Sequence, residues 1–386
     1  FAKKPDGKPY DTRWGGTCFD LTRDDTRAYL KDVIRTLTRD WGYTYLKMDG
    51  LYTGASLNLN YVCDTFREDE IGQAVLSDPS VTQIQMMRES LRLVRQTAGP
   101  DVFLLGCCTP QNMRSAGAAY GLVHAMRIGP DNGANWSAML RGPEYGAWNY
   151  FLHRRVWYND PDPLYVRASL PLEHAQALCS WVTLSGQMNS SSENYAALPP
   201  DRLDLLKRTM PSHSATARPV HLFENRIPAL WHVTDPATAA RPRLDILGLF
   251  NWDSTEKTID LPLAHAGLPA DADLIAFDFW ANALTPPFKG RLTHTLRPQS
   301  CAVLALRPVL DRPQVISTSR HITQGVIDLT QERWDSATRT LSGLSQTVAN
   351  DRYELRILTH ASGGDQRSPR GFALASVAPT GPNGSA

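Results

Sequence analysis

The residues Tyr45-Leu-Lys-Met-Asp-Gly50 constrain this chain more than any others, because they read as a short buried strand that delivers a lysine and a carboxylate at its end. A brief apolar run with sharp bounds suits a strand of a parallel sheet. What precedes it completes a unit: Thr22 is an N-cap candidate with Asp25 three positions on, Leu30, Val33, Ile34 and Leu37 share a helical face, and Gly42 supplies a left-handed C-cap. In parallel α/β folds the chemistry collects where strands end, so Asp49 is a candidate nucleophile by position as well as by type.

The pattern repeats. Ser80 is expected to open a helix with Val81, Ile84, Leu91 and Val94 on one face, Gly99-Pro100 to close it, and Val102 to Gly106 to form the next strand. Val123 to Ile128 reads as the following strand, and Trp157 to Asp162 as another strand end whose prolines block continuation. Leu172 to Ser185 is expected to be helical, Gly186 to Ser192 to be the last strand with its polar loop, and Pro200 to Thr209 to be a helix.

After Pro219 the texture changes to short runs such as Leu244 to Phe250, Leu274 to Trp280 and Cys301 to Leu306, which read as an antiparallel β-module. Strand signals return at Val326 to Leu329, Thr338 to Leu341 and Tyr353 to Leu358, and the Gly-, Pro- and Ser-rich end reads as an unstructured tail. With 386 residues the chain exceeds the usual single-domain size. The expected division is a partial (β/α)8-type barrel over 1–213, a C-terminal β-sandwich over 214–309, and a further β-rich module with a flexible tail over 310–386.

Arg127-Ile-Gly-Pro-Asp131 puts a second acid at a strand end. Glycoside hydrolysis needs such a pair, one carboxylate to attack or to activate water and one carboxylic acid to protonate the leaving oxygen. Aspartates in these places also cap helices, and Pro-Asp-Asn-Gly is strong turn chemistry, so both have a purely structural alternative.

A formal net charge of +1, without a run of lysines or arginines, argues against nucleic acid or an anionic membrane as partner and favours a neutral substrate. No apolar stretch approaches the roughly eighteen residues of a membrane span, and the first residues lack the apolar core of a secretion signal. A soluble protein is expected, with a bacterial periplasm or secretion the favoured location and the oligomeric state open. The six cysteines at 18, 63, 107, 108, 179 and 301 match no zinc spacing, and no histidine gathers beside Cys107 and Cys108. His124 lies inside a strand without a second ligand at strand or helical spacing. Neither a metal nor an organic cofactor is expected.

Taken in order, Asp20-Leu-Thr22, Trp41-Gly-Tyr with Lys47-Met-Asp49, Gly106-Cys107, Arg127-Ile-Gly-Pro-Asp131 and Asn159-Asp-Pro-Asp162 resemble the α-galactosidase clan of glycoside hydrolases. The likeness is greatest to family thirty-six of the bacterial type, with family twenty-seven related, and covers roughly residues 10–310. It implies a retaining exo-acting α-glycosidase in which Asp49 is the nucleophile and Asp131 the general acid and base. Lys47 and Arg127 would bind sugar hydroxyls, Cys107 would lie near the sugar's second carbon, and Asp160 and Asp162 would order the site, with Trp136 on the pocket wall. The implied partner is an oligosaccharide or polysaccharide with terminal α-galactosyl-type residues.

Departures from the family bear on that reading. Its barrel has three βα units before the lysine-aspartate strand, and residues 1–20 here resemble the loop after the third, so the chain is expected to be a shortened relative or a fragment. Those units hold the contacts that read galactose. The loop Cys108-Thr-Pro-Gln-Asn112 differs as well and leaves an N-acetylated sugar open as an alternative substrate, with a non-catalytic carbohydrate-binding fragment as the other alternative. Glu193, where relatives carry aspartate, and the module after Pro313 have no functional reading from sequence.

Overall fold

The computed structural model describes residues 1–12, 16–56, 73–107 and 113–359. Cys63, the loop Cys108 to Asn112 and the expected tail lie outside the described residues. Four short strands, β1 (Tyr45–Met48), β2 (Phe103–Gly106), β3 (Ala125–Arg127) and β4 (Tyr158–Asp160), pair in that order as a parallel sheet. Each is short, and single backbone hydrogen bonds such as Phe103 N–H to Thr44 O at 2.8 Å and Ile128 N–H to Asp160 O at 3.1 Å carry the pairing a residue beyond the strands before the loops begin.

Side chains alternate across a strand, and the register divides them into two sets. Leu46, Met48, Leu104 and Met126 face the helices α1 (Asp24–Arg35) and α2 (Gln83–Ala98), packing on Ile34, Met87, Leu91 and Val94. Tyr45, Lys47, Phe103, Leu105, Ala125, Arg127, Tyr158 and Asp160 share the other, inner face by the register Tyr45↔Phe103, Leu105↔Ala125 and Arg127↔Asp160. Tyr45 and Tyr158 are each 49% exposed there.

Both helix starts differ from expectation for one reason: a serine or threonine nearby finds an aspartate before it finds a helix end. Thr22 gives its hydroxyl to Asp20, and Arg23 takes the N-cap position of α1. Ser80 bonds Asp78, and Thr82 caps α2 in a reciprocal capping box with Gln85. Buried Asp20 also accepts the Ser77 N–H at 2.6 Å, tying the approach to α1 to the approach to α2. Gly42 is left-handed as expected, at φ 74°, but α1 first widens into a π-turn over Thr36–Asp40.

Two further helices follow, α3 (Arg141–Trp148) and α4 (Leu172–Ser185), then α5 (Pro200–Thr209). The expected strand at Gly186 to Ser192 is not a strand. The Met188 N–H reaches Asn159 O at 2.9 Å, and only a single bridge, Leu164↔Ser191, forms beyond it. Here Glu193 has a structural account: its buried carboxylate accepts the N–H groups of Val166 at 2.7 Å and Arg167 at 3.0 Å and so closes the loop.

The antiparallel part comprises β5 (Thr216–Val220), β6 (Leu230–Asp235), β7 (Leu244–Asn251), β8 (Lys257–Pro262), β9 (Leu274–Asp278), β10 (Ala283–Leu284), β11 (Arg291–Leu296) and β12 (Ser300–Pro308). Six of them form one sheet in the order β10-β9-β12-β7-β6-β5, and β8 pairs with β11. One face of the large sheet, through Leu247, Leu249, Leu304 and Leu306, packs on Ile259, Leu261, Leu292 and Leu296 of the β8–β11 pair. The opposite face, through Trp231, Val233, Ile246, Phe250, Val303 and Ala305, packs on α4.

That double cover explains the sequence of α4, which is apolar around most of its girth and buried at every residue from Ala177 to Ser185. Beyond it, β13 (Gln314–Thr318) pairs with β16 (Leu355–Leu358), and β14 (Leu329–Asp335) with β15 (Thr340–Ser345). The expected strand at Val326 to Leu329 is instead a turn whose apolar residues, Ile322 and Val326, pack into the α4 core. Among the described residues no helix is long and apolar enough to cross a membrane.

Candidate active site

The parallel register pairs Met48 with Gly106, Gly106 with Met126 and Met126 with Asn159. One residue further on, Asp49, Cys107, Arg127 and Asp160 form a row across the carboxyl ends of β1 to β4. Strands in a sheet lie about 4.8 Å apart, which sets Asp49 two strands, or roughly 10 Å, from Arg127. The ladder continues past the strand ends, with Cys107 N–H to Met48 O at 2.8 Å and Leu51 N–H to Cys107 O at 2.9 Å.

Arg127 is the hub of the row. It is 2% exposed, with Nη2 2.9 Å from Asp131 Oδ1 and Nη1 2.7 Å from Asp162 Oδ1. Burial works against its charge, but Asp162, Cys107, Asp160 and Asp131 together more than offset that and hold its pKa above the ordinary value.

Asp162 adopts φ 75°, a left-handed backbone that a non-glycine residue holds only when its surroundings fix it. Three groups do so: its N–H donates to Asp160 Oδ1 at 3.0 Å, its Oδ2 accepts the Asn132 N–H at 2.6 Å, and its Oδ1 faces Arg127. Burial pushes the Asp162 carboxyl up to about 6 against the pull of Arg127 and the Asn132 N–H, with Asp160 and Asp131 adding to the rise.

Asp131 has the opposite setting, its side chain 73% exposed on the loop between β3 and α3. Gly129 lets that loop pass close to α3, since a Cβ there would lie 2.8 Å from Tyr145 Cγ. Arg141 from α3 donates to Asp131 O, and Asn132 Nδ2 to Pro161 O at 3.0 Å. Sequence reasoning missed Asn132 and Arg141. Asn132 was hidden inside turn chemistry, and nothing local marks an arginine ten residues beyond its partner.

Lys47 and Asp49 are exposed at the first strand of the sheet, and Asp49 Oδ1 accepts the Gly50 N–H at 2.9 Å. The charge of Asp160 also reaches Tyr45, whose hydroxyl is raised by burial first and by that carboxylate second. Thus Arg127, Asp131, Asp160, Asp162 and Cys107 come together around one guanidinium. Trp136 does not join them: its indole N–H donates to Trp252 O at 3.2 Å and its ring lies 4.4 Å from that of His174, on the side of the antiparallel layer. Among the described residues no three His, Cys, Asp or Glu side chains are grouped so that they could hold a metal ion.

No protein-family model matches the sequence. Solved structures do resemble the fold. A GH27 β-L-arabinopyranosidase from Geobacillus stearothermophilus superposes with a TM-score of 0.58 at 16% identity, over 78% of this chain and 66% of that one. A candidate α-N-acetylgalactosaminidase from Bacillus halodurans gives 0.52 at 15% identity, over 77% of this chain and 66% of that one. For α-galactosidase I from Mortierella vinacea the values are 0.51 and 11%, over 73% and 72%. The chain therefore spans just under two thirds of the arabinopyranosidase, and at such identities the likeness is one of fold.

Proposed function

We propose that this chain carries the centre of a retaining, exo-acting α-glycosidase of the α-galactosidase type, acting on oligosaccharides or polysaccharides with terminal α-galactosyl residues. The observation that carries the reading is the row Asp49, Cys107, Arg127 and Asp160 along the carboxyl ends of four parallel strands, with Asp131 held against Arg127 beside it. In this reading the Asp49 carboxylate attacks the anomeric carbon while Asp131 gives its proton to the departing oxygen. Water, deprotonated by Asp131, then cleaves the glycosyl ester. Lys47 and Arg127 supply the cations that hold sugar hydroxyls, and Asp160, Asp162 and Cys107 fix Arg127. Placement in family thirty-six rests on the order of the motifs.

A second reading, carbohydrate binding without turnover, is favoured by one observation: Tyr45 and Tyr158 stand half exposed on the inner face, offering rings on which a sugar can stack. Release of nitrophenol from aryl α-galactoside and aryl α-N-acetylgalactosaminide decides between them and names the sugar. Turnover abolished in Asp49→Gly and restored by azide, with a glycosyl azide of inverted configuration, is the expected result. Retained configuration, or full activity in Asp49→Gly, would remove Asp49 from its role, and binding without turnover would select the second reading.

A further inference from the structure

The loop that carries Asp131 is suspended between two anchors. On one side Asn132 bonds the β4 end twice, its N–H to Asp162 Oδ2 and its Nδ2 to Pro161 O. On the other side Asn135 caps a short helical turn over Trp136–Met139, accepting the Ala138 N–H at 3.1 Å, and that turn points Trp136 into the antiparallel layer.

The receiving socket is itself well fixed. Trp252, whose carbonyl takes the Trp136 N–H, stacks on Phe250 at 4.7 Å and 4°, and gives its own indole N–H to Pro228 O at 3.0 Å. His174, at the start of α4 and against the Trp136 ring, is held by Gln299 at 3.0 Å. A rigid aromatic anchor set in packed surroundings restricts what lies a few residues away in the chain.

We propose that Trp136 is a positioning residue: by locking its turn into the antiparallel layer it fixes the loop that places Asp131 on Arg127, and so makes that layer part of the acid-base apparatus. The inference rests on the reading of Asp131 as acid and base. It differs from a wall of the sugar pocket, since the indole touches the layer and acts through the chain.

The test uses the full chain and has an arm that needs no turnover. In Asp131→Cys the introduced thiol lies beside Arg127 and should ionise below an ordinary cysteine, read as the pH midpoint of its alkylation by iodoacetamide, followed by peptide mass so that the native cysteines do not interfere. Adding Trp136→Ala should move that midpoint up by about half a pH unit or more. Should Trp136→Ala fold poorly, Trp136→Phe, which keeps a ring but loses the N–H, should shift it in the same direction by less. A midpoint unmoved in the folded variants overturns the proposal. In the kinetic arm Trp136→Ala should lower kcat about tenfold or more on substrates with poor leaving groups and leave KM and good leaving groups nearly untouched. Equal losses on both would also overturn it. Absence of turnover in the unsubstituted chain would count against the glycosidase reading alone, because the thiol arm still decides the role of Trp136.

Discussion

The buried Arg127 and the largely enclosed Asp162 form an ion pair at 2.7 Å, and the same guanidinium reaches Asp131 at 2.9 Å with its other terminal nitrogen. One planar cation therefore sets the relation between a largely enclosed carboxylate and an exposed one. Arginine can do this because its donors are fixed in a fork, and lysine cannot.

Arg127→Met at neutral pH should destabilise the fold by about 1–3 kcal/mol, since Asp162, Asp131 and their neighbours lose the guanidinium's hydrogen bonds while the Asp162 carboxyl, already near 6, takes up a proton and does not stay charged. Arg127→Lys should recover part of that stability but little of the activity. Urea midpoints with kinetics on the same variants would check it, and a fully active Arg127→Lys would sink the two-carboxylate role.

Asp162, with its carboxyl near 6, should place a limb in the pH profile of activity. As pH falls through 6 the carboxyl takes up a proton, releases its hold on Arg127, and activity should fall with it. Asp162→Asn should erase that limb and lower the plateau. An unchanged limb in Asp162→Asn would assign it elsewhere.

Gly129→Ala should cost about 1–3 kcal/mol, because the new methyl meets the Tyr145 ring and one of the two must shift. The same shift moves the Asp131 loop, so activity on poor leaving groups should suffer more than stability suggests. Gly129→Ala combined with Tyr145→Ala should regain most of the loss. Failure of the pair to recover would show that the contact with Tyr145 is not the cause.

Three histidines, His153, His213 and His321, are expected to govern acid stability. Burial pushes His153 down to about 4 and His321 down to about 3, and holds His213 low as well. A depressed imidazole favours the folded state above the ordinary histidine pKa, and that stability is lost as pH falls from about 6.5 toward 4 and 3, at up to about 1.4 kcal/mol per pH unit for each group. Asp162 works in the opposite sense, so the comparison to make is the unsubstituted protein against His321→Gln between pH 7 and 4. The variant should lose stability less steeply. Parallel curves would acquit His321.

What the chain's residues announced and what they concealed follow the range of the forces involved. The strands that lead to Asp49, Asp131 and Asp162 were readable because Gly, Pro and Asp punctuate locally, and α4 was found to the residue because Pro171 and Gly186 bracket a segment in which apolar residues predominate. The cap of α2 was misplaced by two residues because Ser80 gives its hydroxyl to Asp78, two residues back, and leaves the cap to Thr82, which pairs with Gln85. Trp136 could be recognised as important, but which layer it faces depends on Trp252 and His174, far away in sequence. Arg141 was invisible because its partner is a backbone carbonyl ten residues earlier, which no local pattern marks.

The helix Leu172–Ser185 has one flank against the parallel half of the molecule and the other against the large antiparallel sheet, with Trp181 and Leu184 wholly enclosed. A crossover between related genes placed on either side of it would expose that enclosed surface to water in one product. Natural recombination should therefore carry the helix with both neighbours or with neither, and heating should bring the two halves apart in a single calorimetric transition.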